Sequence, residues 1–537
     1  MPQVPRVLLV NPSEVSFGTA VITPRWQYAL AGATPAEYGT PQIVDETVTP
    51  LDVAGLRRGD IVGIGIHTGN ALRGYELGRA AAQRGARVVF GGIHATLYPE
   101  EGLERGGADA VVKGDGDLVW PRVLRDLAAG ASARLYDGGR IAASEFATPR
   151  WDLLPRRRYM WASVQTVRGC PKHCSFCSVW RTDGQRPRQR AANSVIAELV
   201  QLRRLGFRFN VLADDNFYPV TLEDLRLAEQ QGNSHRLEEL RSLRQERFAL
   251  MAQMAELPSD MIFFTQITME AAEDAEFLAA MRQARIRGVL VGVEAVTPDG
   301  LKDVYKDFNV SGEALVERLR AFRAHGVHVL GSFIFGLPSD RPATFRATAE
   351  LADRAQLALA QFVPLTPFPG TVDYQKWEKS LGDDGPRVAG IPLTRRWLIP
   401  RHLRPQAYAT HPTMSTQEIR QRTQEAWDHF YRAPAVWKRA RFIRNLRGRL
   451  AFLLISKIYR QMYADTGLAT DSARAAQSGR RARYLAWICR RLFAARPMPQ
   501  LTLPSLAASS ADSPTLVQLT PLAYPNGSAA EPRDLSA

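Results

Sequence analysis

Cys170, Cys174 and Cys177 lie in the run Arg168-Gly169-Cys170-Pro171-Lys172-His173-Cys174-Ser175-Phe176-Cys177, and the 537-residue chain has only 4 cysteines. A Cys-x3-Cys-x2-Cys loop gathers three thiolates around one small volume. Complete iron–sulfur clusters are held by four thiolates. A [4Fe–4S] cluster held by three keeps one iron open to a small molecule. Zinc is the competing reading, yet zinc sites favour paired Cys or Cys/His sets. His173 lies inside the loop, but no second Cys pair or His-x3-5-His follows. A disulfide would leave one of the three thiols unpaired. Cys489 stands alone near the C-terminus and is given no role.

This spacing resembles the radical S-adenosylmethionine (SAM) superfamily. The resemblance implies a [4Fe–4S] cluster whose open iron binds the amino and carboxylate groups of SAM. It implies one-electron cleavage of SAM to a 5′-deoxyadenosyl radical, which removes hydrogen from an unactivated C–H bond. The cofactors carry that chemistry; the protein positions them and excludes competing reactions. An external electron donor, such as flavodoxin or ferredoxin, is then needed.

The elements around the loop must place it. Up to about residue 140 the pattern is α/β. Apolar strands are expected over 6–11, 60–66, 87–90 and 110–112. The last three end in glycine-rich turns: His67-Thr68-Gly69, then Gly91-Gly92-Ile93-His94-Ala95, then Gly114-Asp115-Gly116-Asp117. Strands that alternate with helices predict a parallel, doubly wound, Rossmann-like sheet. Ligands bind such sheets outside the carboxyl ends of the strands, where these turns lie. The glycines could serve only as tight turns. Their order ahead of the cysteine loop, however, resembles the cobalamin (B12)-binding radical SAM family. That resemblance implies that His67, Thr68, Gly69, Gly91, Gly92, His94, Gly114 and Gly116 line a cobalamin site. The family's Gly-x-Gly-Glu signature has Asp117 in place of Glu here. The Asp-x-His-x-x-Gly motif that ligates cobalt in many B12 domains is absent. Gly65 and Asn70 stand where its Asp and Gly would be.

Residues 141–159 read as a linker, and 160–375 as a second domain. Strands are expected over 163–167, 209–213, 261–265, 288–294, 327–335 and 358–364, with a polar helical insertion over 221–257. Six βα units predict a partial (β/α)6 TIM-type barrel with its chemistry at the carboxyl ends of the strands. Asp214, Asp215, Asn216, Gln266, Thr268, Glu270 and Glu294 fall there. The resemblance places SAM contacts at Phe176, Asp215, Glu294 and Gly336. Each acid also has a structural alternative, as a helix cap or in a salt bridge.

Residues 376–496 read as a mostly helical, basic region, and 497–537 as a disordered tail rich in Ser, Pro and Ala. The formal net charge is +15, which suggests an anionic partner. Over 437–463 Arg and Lys interleave with Trp, Phe, Leu and Ile. Such a segment suits either an anionic membrane surface or a helical subdomain with a solvated basic face. It carries no recognisable RNA-binding motif, so nucleic acid ranks last. No run is long enough for a transmembrane helix. With few cysteines and no secretory signal, a reduced cytoplasmic setting is expected, peripheral to the inner membrane surface.

Within the cobalamin-binding family the chain resembles the hopanoid C-3 methylases, through 213–217, 264–270, 291–295, 331–337 and 366–370. That implies methylation of an unactivated carbon of a membrane lipid through methylcobalamin. Two other readings stay open. One is a non-methylating oxidation or cyclisation, for example of a tetrapyrrole. The other is a cobalamin or redox sensor.

Overall fold

The apolar runs Val7–Asn11 and Ile61–Gly65 have no alternate polar face, the pattern of strands buried on both sides. In the computed structural model they lie in a sheet of six parallel strands. These are β1 (Val7–Asn11), β3 (Gln42–Asp45), β4 (Ile61–Gly65), β5 (Arg87–Gly91), β6 (Ala110–Lys113) and β7 (Leu135–Asp137). Their order is β3-β1-β4-β5-β6-β7. The structure describes residues 4–14, 16, 20–155, 157–382, 384–405, 408, 411–443, 445–465, 488 and 496–503. The strand order reverses between β1 and β4, which makes their carboxyl ends the topological switch point. Asn70 Nδ2 donates to Pro12 O there at 3.1 Å and ties the two loops together.

A second parallel sheet has the order β15-β14-β13-β12-β11-β8-β2. Its strands are β2 (Ala20–Ile22), β8 (Tyr159–Val164), β11 (Phe209–Leu212), β12 (Ile262–Ile267), β13 (Ile286–Glu294), β14 (His328–Phe335) and β15 (Leu359–Pro364). Helices connect β8 through β15, as the expected partial (β/α)6 barrel requires. β2 is the departure. It comes from the first 25 residues, yet it pairs with β8 through Ala20↔Tyr159 and Ile22↔Trp161. Two short antiparallel strands, β9 (Val167–Arg168) and β10 (Arg188–Gln189), flank the cysteine loop.

Three boundaries differ from expectation. β8 ends at Val164, because the Asp214 carboxylate takes the Thr166 and Val167 N–H groups and turns the chain. The polar insertion is two helices, Leu222–Gln230 and Ser234–Ala255, broken at Gly232, whose φ is +63°. β3 and β7 are short strands that the apolar pattern did not predict.

Between the sheets, Trp151 and Leu154 belong to the barrel core. Trp151 is 1 % exposed, stacks on Tyr28 at 4.7 Å, and donates from Nε1 to Glu198 at 3.2 Å. Arg25, from the first domain, and Arg190 both reach the same buried Glu198. Residues beyond the barrel close it on two sides. Helix Thr416–Tyr431 covers the edge of β15, with Trp427 Nε1 donating to Phe362 O at 2.8 Å and Tyr431 OH to Ala360 O at 2.7 Å. An exposed strand edge is thereby satisfied by side chains. Tyr374, Trp377 and Trp397 pack into the first domain's core.

Helix Leu446–Asp465 lays Phe452, Leu453 and Tyr459 against the barrel core and exposes Leu446 and Leu450. No helix among the described residues is long and apolar enough to cross a membrane. Arg203 and Arg204 donate to the carbonyls of Arg496 and Leu501, so the chain is held to the barrel at those positions. Residues 504–537, and Cys489, lie outside the described residues.

Candidate functional site

The cysteine loop starts at Gly169, whose φ is +91°. A Cβ there would come within 2.8 Å of Arg186 O and 2.9 Å of Gly184 O, so only glycine fits. Asp215 Oδ2 accepts the Gly169 N–H at 2.7 Å. Cys170 N–H reaches Gly184 O at 3.1 Å, Cys177 N–H reaches Cys174 O at 3.2 Å, and Ser175 N–H reaches Val304 O at 3.2 Å. Trp180 Nε1 donates to Cys174 O at 3.1 Å. The loop is thus fixed through its backbone, which leaves the three sulfurs available as ligands.

Burial pushes the Cys170 thiol up to about 12 and that of Cys177 to about 11, and it raises Cys174 as well. A metal bound here would release these protons, because a metal-held cysteine is a thiolate. Among the described residues, no three or more His, Cys, Asp and Glu side chains converge as the ligands of one metal ion would. A cluster distributes its thiolates over separate irons, and a donor set of three thiols on one short loop, none of them in a disulfide, fits that group.

Asp215 therefore holds the cluster loop, and burial pushes its carboxyl up to about 7. Asp214 is buried one step deeper and carries the β8–β9 turn. Glu294 ends β13 in the left-handed region at φ +64°, where the register with β14 shifts. Such a conformation persists only where its surroundings enforce it. Lys306 holds the side chain of that residue. Its Nζ donates to Glu294 Oε1 at 3.0 Å and to Gly292 O at 2.9 Å. Burial alone would lower the Lys306 ammonium, but the Glu294 carboxylate and the adjoining Cys174 outweigh it and raise it. A Cβ on Gly292 would lie 2.4 Å from Glu294 Oε1 and 2.8 Å from Lys306 Nζ, so Gly292 makes room for the pair.

Phe176 packs with Leu337 and Ile334, and Lys306 Nζ sits 5.8 Å from its ring centre. Gly336 has φ +86°, and Asp340 Oδ2 accepts its N–H at 2.8 Å and that of Leu337 at 3.1 Å. At the same mouth Asn216 Nδ2, Thr268 Oγ1 and Glu270 Oε2 are buried without a hydrogen-bond partner, while Lys172 pairs with the other oxygen of Glu270. Orphaned buried polar atoms are rare and call for a partner. These suit a polar ligand such as SAM. Lys306, Gly292, Lys172 and Asp340 were not singled out in the sequence. Glu294 and Lys306 are 12 residues apart, and no local pattern announces their meeting.

The glycine-rich turns of the first sheet divide into two sets. His67 is exposed at the switch point and accepts the Gly69 N–H on Nδ1 at 3.1 Å, so the neutral ring carries its proton on Nε2. Ligation of a metal through Nε2 would require that bond to be given up. His94 is fully buried. It contacts Thr68 Oγ1 at 3.3 Å and Glu101 at 3.3 Å, and Glu101 also accepts from Tyr75 and Trp397. His94 thus supports the Thr68 loop from behind. Gly92 has φ +95°, and a Cβ there would meet Ile66 O at 2.6 Å. Gly114 has φ +70°, and a Cβ there would meet Gly139 O at 2.5 Å. A Cβ on Gly91 would meet nothing within 4 Å, and one on Gly116 would meet only Leu30, at 3.3 Å.

Gly114 lines a cavity of about 750 Å³ between the two domains. Thr96, Leu97 and Lys113 line it from the first domain; Arg181, Thr182 and Gly370 line it from the barrel. The ends of β6 and β7 therefore share one space with the helix that follows the cysteine loop and with the segment after β15. Of the residues that the resemblance assigns to cobalamin only Gly114 lines this cavity, with Gly139 beside it, and a concave site at the ends of a doubly wound sheet suits a large planar cofactor.

Residues 164–352 match the model of the radical SAM superfamily. The chain is 27 % identical over 463 residues to an uncharacterised methyltransferase of Pyrococcus horikoshii, covering 80 % of this chain and 93 % of that one. It is 25 % identical over 333 residues to bacteriochlorophyllide d C-8(2)-methyltransferase of Chlorobaculum tepidum, covering 60 % and 69 %. It is 28 % identical over 233 residues to hopanoid C-2 methylase of Rhodopseudomonas palustris, covering 43 % and 40 %. Among solved structures, the radical SAM methyltransferase TsrM of Kitasatospora setae, with cobalamin and a [4Fe–4S] cluster bound, superposes with a TM-score of 0.58. It is 18 % identical and covers 91 % of this chain and 100 % of that one. The chain therefore has the fold of the cobalamin-dependent radical SAM enzymes, with residues 164–352 matching the radical SAM superfamily.

Proposed function

We propose that this protein is a cobalamin-dependent radical SAM methyltransferase that methylates an unactivated carbon of a membrane lipid, a hopanoid, at C-3. The observation that carries methyl transfer is the shared cavity: the Gly114 and Gly139 turns of one sheet open onto a space bordered by Arg181 and Thr182, in the helix that follows the cysteine loop. Cys170, Cys174 and Cys177 would hold the cluster. The Gly114 turn and the Thr68 loop would border the cobalamin. When bound, these groups supply the radical and the methyl donor.

The chain's own residues do the positioning. Asp215 and Val304 fix the loop backbone. Lys306 holds the Glu294 carboxylate at the mouth, where it can accept from the SAM amino group. Asn216, Thr268 and Glu270 offer unpaired polar atoms to the rest of that ligand. The side chains of Phe176, Ile334, Val363 and Leu365 form an apolar wall that excludes water from the reacting atoms.

The hopanoid reading rests on the likeness to a hopanoid C-2 methylase and on the need for radical chemistry at a saturated carbon. Access would come from the basic helix Leu446–Asp465, whose exposed Leu446 and Leu450 flank Arg447 and suit an anionic lipid surface. Reducing equivalents would come from a flavodoxin or ferredoxin. A tetrapyrrole is the second reading, because the bacteriochlorophyllide methyltransferase match covers more of this chain.

The test is expression in a hopanoid-producing bacterium that lacks methylated hopanoids, with cobalamin and methyl-labelled methionine supplied. A labelled hopanoid heavier by one CH2 establishes the reaction and substrate together. Labelled methyl on a tetrapyrrole, with hopanoids unchanged, would replace the lipid and keep the methyl transfer. SAM cleavage without any methylated product would leave the oxidation or cyclisation reading. No SAM turnover by loaded protein would leave the sensor.

A further inference from the structure

Arg181 stands out in the cavity between the domains. It follows Cys177 by one helical turn, on the segment Val179–Thr182. Its Nη1 is buried and has no hydrogen-bond partner, its guanidinium carbon lies 5.8 Å from the Trp180 ring centre, and among the described residues no carboxylate forms an ion pair with it. The other charges on the wall are accounted for. Glu378 pairs with Arg395 at 2.6 Å, and Asp137 faces Lys113 at 3.8 Å. Arg140 is committed to the barrel backbone, donating from Nε to Thr182 O at 3.0 Å and from Nη2 to Arg181 O at 2.6 Å. Arg140 therefore fixes the position of Arg181 from the first domain.

A buried guanidinium nitrogen without an acceptor is costly, and a charged one more so. Here the cost comes with an adjoining space of about 750 Å³ that holds more cationic than acidic side chains. An oxyanion arriving in that space would gain a charge-assisted hydrogen bond without having to compete with a protein carboxylate.

We propose that Arg181 is an anion-binding residue in this cavity, and that the anion it takes is the phosphodiester of a bound cobalamin's nucleotide tail. The inference rests on the cobalamin reading of the cavity. An oxyanion on the substrate is the other source of the same chemistry. Arg181 belongs to the barrel and follows the cysteine loop directly. The contact would therefore fasten a cofactor seated on the first domain to the segment that carries the cluster ligands.

The test uses the full chain with its cluster reconstituted. Hydroxocobalamin and cobinamide, the corrinoid that lacks the nucleotide and its phosphate, are each titrated and followed by absorbance. Wild-type protein should bind cobalamin more tightly than cobinamide. Arg181→Met should weaken cobalamin binding about tenfold or more and leave cobinamide binding unchanged. Arg181→Lys should recover part of the loss. Unchanged cobalamin affinity in Arg181→Met would overturn the proposal and assign the residue to a substrate oxyanion or to none. An equal loss for both corrinoids would also overturn it, because the residue would then be shaping the cavity rather than meeting the phosphate. Failure of the wild-type protein to bind either corrinoid would remove the cobalamin reading itself.

Discussion

Arg168, two residues before Cys170, donates from Nη1 to Asp115 Oδ1 at 2.7 Å and to Asp117 Oδ2 at 3.2 Å. Asp115 also pairs with Arg188 and accepts the Ile141 N–H at 3.0 Å. The acidic residues of the Gly114–Asp117 turn thus bind both strands that flank the cysteine loop. Phe146 lies under this junction, its ring centre 3.9 Å from the Arg168 guanidinium.

Asp115→Ala should therefore act on both domains. It removes the acceptor that Arg168 and Arg188 share, while Arg168 keeps Asp117 and Arg188 keeps the Ile141 carbonyl, a loss that costs about 1–3 kcal/mol. Denaturant unfolding should show it, and iron retention after reconstitution should fall in parallel. Lowered stability with full iron retention would show that the junction does not support the loop.

Gly292→Ala separates a site effect from a folding effect. The added Cβ would meet the ends of the Glu294 and Lys306 side chains, which can swing away. Stability should change by about 1 kcal/mol or less, while SAM affinity measured by equilibrium dialysis should fall about tenfold or more. Gly92→Ala is the contrast. There the clash is with the Ile66 backbone at positive φ, and stability itself should drop by about 1–3 kcal/mol.

Two buried carboxylates should give opposite pH dependences. Burial pushes Asp340 from 3.8 up to about 6. Its folded value lies above its unfolded one, so its contribution is fully present below about pH 4 and is lost as pH rises through about 6. Between those limits wild type should lose roughly 2–3 kcal/mol relative to Asp340→Asn. Burial also acts to raise Glu198, but Arg25 and Arg190 outweigh it and hold the carboxyl below 4.5. Its contribution is present above pH 4.5 and is lost as pH falls through the depressed value. Urea unfolding at a series of pH values should show a steeper acid limb for wild type than for Glu198→Gln.

Cys174→Ala should abolish cluster assembly and SAM cleavage together, read as iron content and product chromatography. Far-UV circular dichroism should be retained, because the loop is held by its backbone bonds. Cleavage that survived with iron absent would remove the radical SAM assignment.

The sequence by itself determined the local elements and the ligand loop. Apolar runs marked β4, β5, β6 and the barrel strands from β11 to β15 within a few residues: burial on both faces leaves a continuous signature in β4, β5, β6 and β14, and β11, β12 and β15 bury alternate residues. The cysteine triad was legible because its three members are close in the chain. Only the tertiary structure decided what meets across distance. β2 joins the barrel sheet beside β8, and it is too short to carry a pattern of its own. Asp215 proved to hold the loop, Lys306 to hold Glu294, and His94 to sit behind the Thr68 loop. Each depends on a contact between residues far apart in the chain. The free energy of such a contact comes from burial and charge pairing in the folded core, and neither quantity is encoded in the spacing of neighbouring residues.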